Sequence, residues 1–221
     1  MGGMTVELEK LKERMWKMGV VPVIAIESPD LALPMADALI EGGLAIAEIT
    51  FRTEAAAEVI SALKKQRPDI LLGAGTILSI ENLEKAKECG AVFGVSPGLN
   101  PDILKRANEI GFPFFPGVLT PSEIEQGLSL GTNVLKFFPS EASGGIAMIK
   151  AVSAPYAHLG VKFIPTGGVN IKNLEEYLAL PQVLSVGGTW IAKKDLISEK
   201  RWDDIKKNAQ EAIAIAKRVR G

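Results

Sequence analysis

The sequence predicts an α/β protein, a single (β/α)8 barrel preceded by one extra helix, and three observations carry that reading. Eight short apolar runs alternate with segments of helical spacing along 221 residues. The runs are apolar nearly throughout instead of alternating with polar residues, as strands of a parallel sheet covered on both faces are. Eight such βα units at this length fit a closed (β/α)8, or TIM, barrel better than an open doubly wound sheet.

The helix comes first, at 5–18. Strands follow at 20–26 (VVPVIAI), 44–51 (LAIAEITF), 70–76 (ILLGAGT), 92–98 (VFGVSPG), 113–118 (PFFPGV), 133–139 (NVLKFFP), 161–167 (VKFIPTG) and 184–189 (LSVGGT). Helical spacing marks 29–42, 54–67, 80–89, 101–110, 121–130, 144–153, 171–179 and 201–219. Asn100-Pro101 and Thr120-Pro121 each set a capping side chain before a proline at the first helical position, and Gly90, Gly111 and Gly131 stand where helices stop. No linker or low-complexity tract divides the chain, so 1–221 reads as one domain. Met1-Gly2-Gly3 ahead of Met4 reads as a start-site or added remnant, and 1–4 carry no fold argument.

Composition narrows the function classes. Lys plus Arg number 25 against 26 Asp plus Glu, and no basic block interleaved with aromatics is present, which argues against a nucleic-acid partner. No apolar stretch approaches the ~20 residues that span a bilayer, and no apolar signal-peptide core follows the N-terminus, so the expectation is a cytoplasmic protein with no membrane partner. The one cysteine, Cys89, cannot form an internal disulfide and reads as a packed small residue. One histidine, one cysteine and no clustered carboxylate motif give no expectation of a metal site or a cofactor. His158 reads as a non-catalytic residue, and Trp16, Trp190 and Trp202 read as packing residues.

Lys136 is the most informative residue, because it stands inside the apolar run NVLKFFP. Taking an amine out of water disfavours its charged form, and a neutral lysine amine attacks carbonyls to form a Schiff base. The alternatives are a lysine snorkelling at a strand end or one closing an internal ion pair. In a barrel the chemistry gathers at the C-terminal ends of the strands. There Glu48, Thr50 and Arg52 share one parity and one face of the second strand. Glu48 is a candidate general acid/base or a structural partner of Lys136 or Arg52, and Arg52 a fork for an anionic substrate group. Thr76 ends the third strand and Pro97 the fourth, where turn chemistry alone would also explain them.

Two glycine pairs form a second constellation. Thr166-Gly167-Gly168 ends the seventh strand and Gly187-Gly188-Thr189 the eighth, in the two loops that commonly build a phosphate site on this fold. Lacking side chains, these residues let backbone N–H groups approach an anion.

The segments VVPVIAI, EITFRT, GAGT, VSPG, LKFFPSE, PTGGV and VGGTW, in this order and from Val20 to Ala192, resemble the 2-keto-3-deoxy-6-phosphogluconate (KDPG) aldolase family, some of whose members also cleave 4-hydroxy-2-oxoglutarate. The resemblance implies a class I, metal-independent aldolase on a (β/α)8 barrel, usually a homotrimer, acting on a small 2-keto acid in the Entner–Doudoroff pathway. It makes Lys136 the Schiff-base lysine and Glu48 the proton shuttle. It gives Arg52, Thr76, Pro97 and Phe138 to the carboxylate and pyruvyl pocket, Thr166 to the hydroxylated part of the substrate, and Gly167, Gly168, Gly188 and Thr189 to the phosphate. Thr189 departs from the serine that many members carry, keeping the hydroxyl and adding a methyl. A phosphate-binding isomerase or epimerase would explain the glycine pairs and leave Lys136 without a purpose. A catalytically idle assembly scaffold would need neither.

Overall fold

The computed structural model describes residues 2–221, with side chains from Glu7 onward. Helix α1 (Gly2–Met18) leads into β1 (Val20–Ile24), and α2 (Ala32–Glu41) into β2 (Ile46–Thr50). Then come α3 (Ala56–Gln66), β3 (Leu71–Gly75), α4 (Ile80–Glu88), β4 (Phe93–Val95) and α5 (Pro101–Glu109). The fifth apolar run forms two pieces, β5 (Phe114–Phe115) and β6 (Gly117–Val118), followed by α6 (Pro121–Ser129), β7 (Val134–Phe137) and α7 (Gly145–Ser153). The chain ends with β8 (Lys162–Pro165), α8 (Leu174–Leu178), β9 (Val186–Gly188), α9 (Lys194–Ser198) and α10 (Trp202–Arg220).

All pairings are parallel. A curled six-stranded sheet runs β5-β4-β3-β2-β1-β9, and a second sheet runs β6-β7-β8. The fifth run joins the two, because Pro116 between β5 and β6 has no N–H to donate and breaks the ladder there. Isolated bridges Phe163↔Val183 and Thr166↔Gly187 connect β8 to the stretch containing β9. Strand residues are buried almost without exception, which is why the runs lack alternation.

The core has two parts. Inside the curl, Gly73 leaves the space that the Phe93 ring takes: a Cβ at Gly73 would lie 2.1 Å from that ring. Outside, Leu39, Ile60, Leu63, Leu83, Leu104 and Ile124 seat the helices on the sheet and are all but inaccessible to water. Helix α10 approaches the end of α2 so closely that a Cβ at Gly42 would stand 2.5 Å from Ala209 Cβ.

The predicted caps form. Asn100 Oδ1 accepts from Asp102 N at 3.0 Å, and Thr120 and Glu123 make a reciprocal capping box. Three features differ from the sequence expectations. The fifth strand is interrupted at Pro116, the helix expected at 171–179 contracts to the five residues of α8, and α9 was not anticipated. Asn170 and Asn173 explain the contraction: Asn170 Oδ1 accepts from Lys172 N, and Asn173 Oδ1 from Asn170 N, so side-chain turns compete with helix over that stretch. Among the described residues, no helix is long and apolar enough to cross a membrane.

Candidate active site

Glu48 and Lys136 face each other across the interior at the C-terminal end of the strands. Glu48 pairs in register with Val23 and Gly73, and Lys136 with Gly117 and Ile164, so the curl of the sheet brings β2 opposite β7. The Lys136 Nζ lies 3.7 Å from Glu48 Oε1, with side-chain exposures of 7% and 4%. That distance allows Coulomb attraction and is too long for a good hydrogen bond. Among the described residues, Glu48 Oε1 accepts no hydrogen bond. Two buried ionisable groups left loosely paired are costly, and such arrangements concentrate where they do chemistry. On the other side, Nζ stands 5.4 Å from the centroid of the Phe138 ring.

Gly75 makes room for the carboxylate, since a Cβ there would fall 2.0 Å from Glu48 Oε1. The glycine inside GAGT was a signal of close approach that the sequence reading did not use. The residue after it, Thr76, holds φ at 57°, a left-handed conformation that a β-branched residue adopts only where its surroundings impose it. Thr50 Oγ1 donates to Ile24 O at 3.0 Å and accepts from Arg52 Nε at 3.2 Å. That contact tethers the exposed Arg52 guanidinium at the rim above Glu48.

The remaining candidates line the same rim. The Pro97 carbonyl closes against Gly117, where a Cβ would meet it at 2.1 Å, and Gly117 is the register partner of Lys136. Phe138 is 37% exposed and leans over both Lys136 and Gly167. Thr166 is buried, and its Oγ1 fills the space in front of Gly187. Gly167 and Gly168 have φ of 94° and 85°, and among the described residues their N–H groups donate to no backbone or side-chain acceptor. Two consecutive free donors of this kind form an anion-receiving concavity. Gly188 ends β9, and Thr189 is exposed just beyond it with its hydroxyl unengaged among the described residues. Among the described residues, Arg52 and Thr189 make no hydrogen bond or ion pair with Lys136 or Glu48.

A separate cavity of about 370 Å³ opens at the opposite end of the strands, lined by Lys10, Arg14, Leu71, Lys87, Val92 and Phe112 among others. Two of its three cations are committed elsewhere: Arg14 donates to Asp69 O and Lys87 to Ile110 O. His158 is exposed, on the 3₁₀ turn between α7 and β8. Trp16 is 41% exposed and does not fit the packing role expected of it, because its ring stacks on the Arg220 guanidinium at 5.1 Å. Among the described residues, no group of three or more His, Cys, Asp or Glu is placed to hold a metal ion.

Comparison with known proteins gives this arrangement a family. The model of KDPG and KHG aldolase matches residues 11–208. The chain belongs to that family. A 2-dehydro-3-deoxy-phosphogluconate aldolase of Haemophilus influenzae is 46% identical over 214 residues, covering 97% of this chain and 100% of that protein. The crystal structure of KDPG aldolase from Legionella pneumophila, with pyruvate captured at low pH as a covalent carbinolamine intermediate, superposes with a TM-score of 0.87 at 40% identity, covering 91% of this chain and 97% of that one. The Zymomonas mobilis ZM4 KDPG aldolase with 3-phosphoglycerate gives 0.85 at 37% identity, covering 94% and 96%.

Proposed function

We propose that this protein is a class I aldolase that cleaves 2-keto-3-deoxy-6-phosphogluconate to pyruvate and D-glyceraldehyde 3-phosphate, and 4-hydroxy-2-oxoglutarate to pyruvate and glyoxylate. The observation that carries the proposal is the loose Lys136–Glu48 pair at 3.7 Å, buried on both sides and with Glu48 Oε1 unbonded. A phosphate-binding isomerase would have no use for that lysine. The names of the relatives supply the substrate class.

The chemistry follows from the groups present. The Lys136 amine, in its free-base form, attacks the C2 carbonyl, forming a C–N bond and a carbinolamine; uptake of a proton and loss of water then leave a protonated imine that draws electrons from C3. Glu48 takes the proton from the C4 hydroxyl as the C3–C4 bond breaks, releasing the aldehyde and leaving an enamine. The same carboxyl returns a proton to C3, and hydrolysis of the pyruvyl imine frees Lys136. Arg52 and Thr76 bind the carboxylate end, Pro97 and Phe138 form the pyruvyl wall, and Thr166 faces the hydroxylated carbons. The N–H groups of Gly167 and Gly168, with Gly188 and Thr189, receive the phosphate. Every step uses groups of this chain.

The architecture proposed with this function is one domain over 1–221, closed into a (β/α)8 barrel in which β5 and β6 count as one strand; the bridges between β8 and the β9 region favour closure. A homotrimer is the proposed assembly, with the exposed Leu78 and Ile80 beyond β3 as apolar surface for it. Borohydride reduction in the presence of pyruvate tests the central step: mass spectrometry should find the reduced pyruvyl adduct on Lys136. An adduct on Lys162 instead, or none, would sink the assignment.

A further inference from the structure

Beyond the residues that face the substrate, one buried hydroxyl organises the loop that receives the anion. Gly167 and Gly168 have the least conformational restraint of any residue type, so something outside them must fix where their N–H groups point. A peptide unit is planar, and its C=O and the following N–H point in opposite directions. Thr166 O accepts from Ser140 N at 2.8 Å, and Gly167 O accepts from Glu141 N at 3.0 Å. These two bonds hold both carbonyls toward the segment that leaves β7, and so turn the Gly167 and Gly168 N–H groups the other way, into the open rim. Gly168 O is held in turn by Asn170 Nδ2 at 2.9 Å.

Ser140 and Glu141 are themselves pinned by a single side chain. The Tyr177 hydroxyl, on α8, donates to Glu141 Oε1 and shares a 2.8 Å hydrogen bond with Ser140 Oγ. Tyr177 and Ser140 have no solvent exposure. The Glu141 stem lies directly behind the loop: a Cβ at Gly168 would meet Glu141 Cβ at 2.4 Å, and one at Gly145 would meet its Oε1 at 2.8 Å. Burial first, and then the Glu141 carboxylate, push the tyrosine up to about 12, so it keeps the proton it donates.

We propose that Tyr177 and Glu141 are positioning residues that set preference for a phosphorylated substrate, by holding the Gly167 and Gly168 N–H groups in register for the anion. The proposal rests on the phosphate site described above. Tyr177→Phe removes the hydroxyl and keeps the ring that fills the core. Loss of one hydrogen bond to a charged group should raise KM for the phosphorylated sugar acid about 10-fold with little change in kcat. Cleavage of 4-hydroxy-2-oxoglutarate, which has no phosphate, should stay within about 2-fold. Inorganic phosphate, used as a competitive inhibitor of that second reaction, should weaken by the same factor of about 10.

Glu141→Ala, a change at an exposed residue that avoids the core, should reproduce the selective loss, and Glu141→Gln, which keeps an oxygen to accept from Tyr177, should restore most of it. Equal losses on both substrates would reduce the pair to support of the fold and overturn the proposal. Thr189→Val separates the two levels of the argument. If it loses the phosphorylated substrate selectively while Tyr177→Phe and Glu141→Ala do not, the phosphate site stands and the positioning role is wrong. If none of the three variants discriminates and inorganic phosphate does not compete, the phosphate site itself is misplaced and the proposal goes with it.

Discussion

Glu48 sits in a place where charge is expensive. Its carboxylate is 4% exposed, one oxygen is unbonded, and the nearest cation stands 3.7 Å away. The cost of such burial is several kcal/mol per ion, offset only partly by a pair at that distance. Replacing the proposed base and keeping its shape separates its chemistry from its packing: Glu48→Gln should still trap some pyruvate on Lys136, while cleavage falls by about 10² to 10⁴. Near-normal turnover would leave Glu48 a structural residue. Gly75 gives a second, independent handle. A methyl group at Gly75 would stand 2.0 Å from Glu48 Oε1, so Gly75→Ala must displace the carboxylate by an ångström or so. Misplacement on that scale costs about 10²-fold in rate. Retro-aldol activity should fall by that factor while borohydride trapping persists; loss of both together would mean a disrupted β3 and not a moved base. Lys136 and Glu48 were legible in the sequence because a charged residue in an apolar run is costly wherever the run ends up. Gly75 left a partial signal as a glycine inside a strand run, whereas Ser140, Glu141 and Tyr177 left none, since their roles depend on which strand lies opposite which, and no local pattern records that.

Among the secondary-structure elements, α6 has the most complete start. Glu123 Oε2 accepts from Leu119 N and Thr120 N, both at 2.8 Å, and from Thr120 Oγ1 at 2.9 Å. Partial burial alone would raise the Glu123 pKa, but the amides of Leu119 and Thr120, with the Thr120 hydroxyl, hold it below its ordinary 4.5. A carboxylate depressed in the folded state contributes stability above its unfolded pKa and loses it as pH falls through the folded one. Glu123→Ala should therefore cost about 1 kcal/mol near neutral pH. Urea titration of both proteins should show that gap shrinking as pH is lowered through 4.5 and below. A gap that stays constant in acid would assign the loss to packing. The cap was readable as Thr120-Pro121 followed by Glu123, because capping acts within a few residues. So were the runs that became β1 to β4 and β7 to β9, where continuous apolarity reports burial on both faces. The break at Pro116 was readable in principle from the missing N–H, whereas the contraction of α8 was not. That contraction depends on Asn170 and Asn173 folding onto their own backbone, and the same residues could have capped a longer helix.

Taken as a whole, the molecule joins its two ends through Arg220. The guanidinium donates to Trp16 O at 2.6 Å, Leu184 O at 2.9 Å and Val183 O at 3.0 Å, and it lies 5.1 Å from the centroid of the Trp16 ring. One side chain near the end of α10 thus ties α1 and the stretch entering β9 together. Val186 N donates to Gly19 O beside it, where β9 meets β1. This is the seam at which the first strand of the curled sheet meets the last, so its strength bears on the whole fold more than on either helix. No carboxylate contacts Arg220 among the described residues, and burial pushes its pKa down to about 10, so the carbonyls are what hold the charge in place. Removing the group should strip a charged donor from three acceptors at once. Arg220→Ala should lower unfolding stability by roughly 1.5 to 3 kcal/mol, the range for a hydrogen-bonded charge, with some of the loss coming from the bared Trp16 face. Arg220→Lys keeps the charge but replaces a planar fork with a point donor that cannot satisfy three carbonyls in fixed directions, so it should recover less than half of that. Because the seam lies at the N-terminal ends of the strands, both variants should keep kcat on either substrate in the folded protein. Denaturant midpoints, measured alongside kcat, decide the matter. A stability change below about 0.5 kcal/mol, the range of ordinary surface substitutions, would mean that α1 and α10 are held by their apolar contacts and that the guanidinium is incidental.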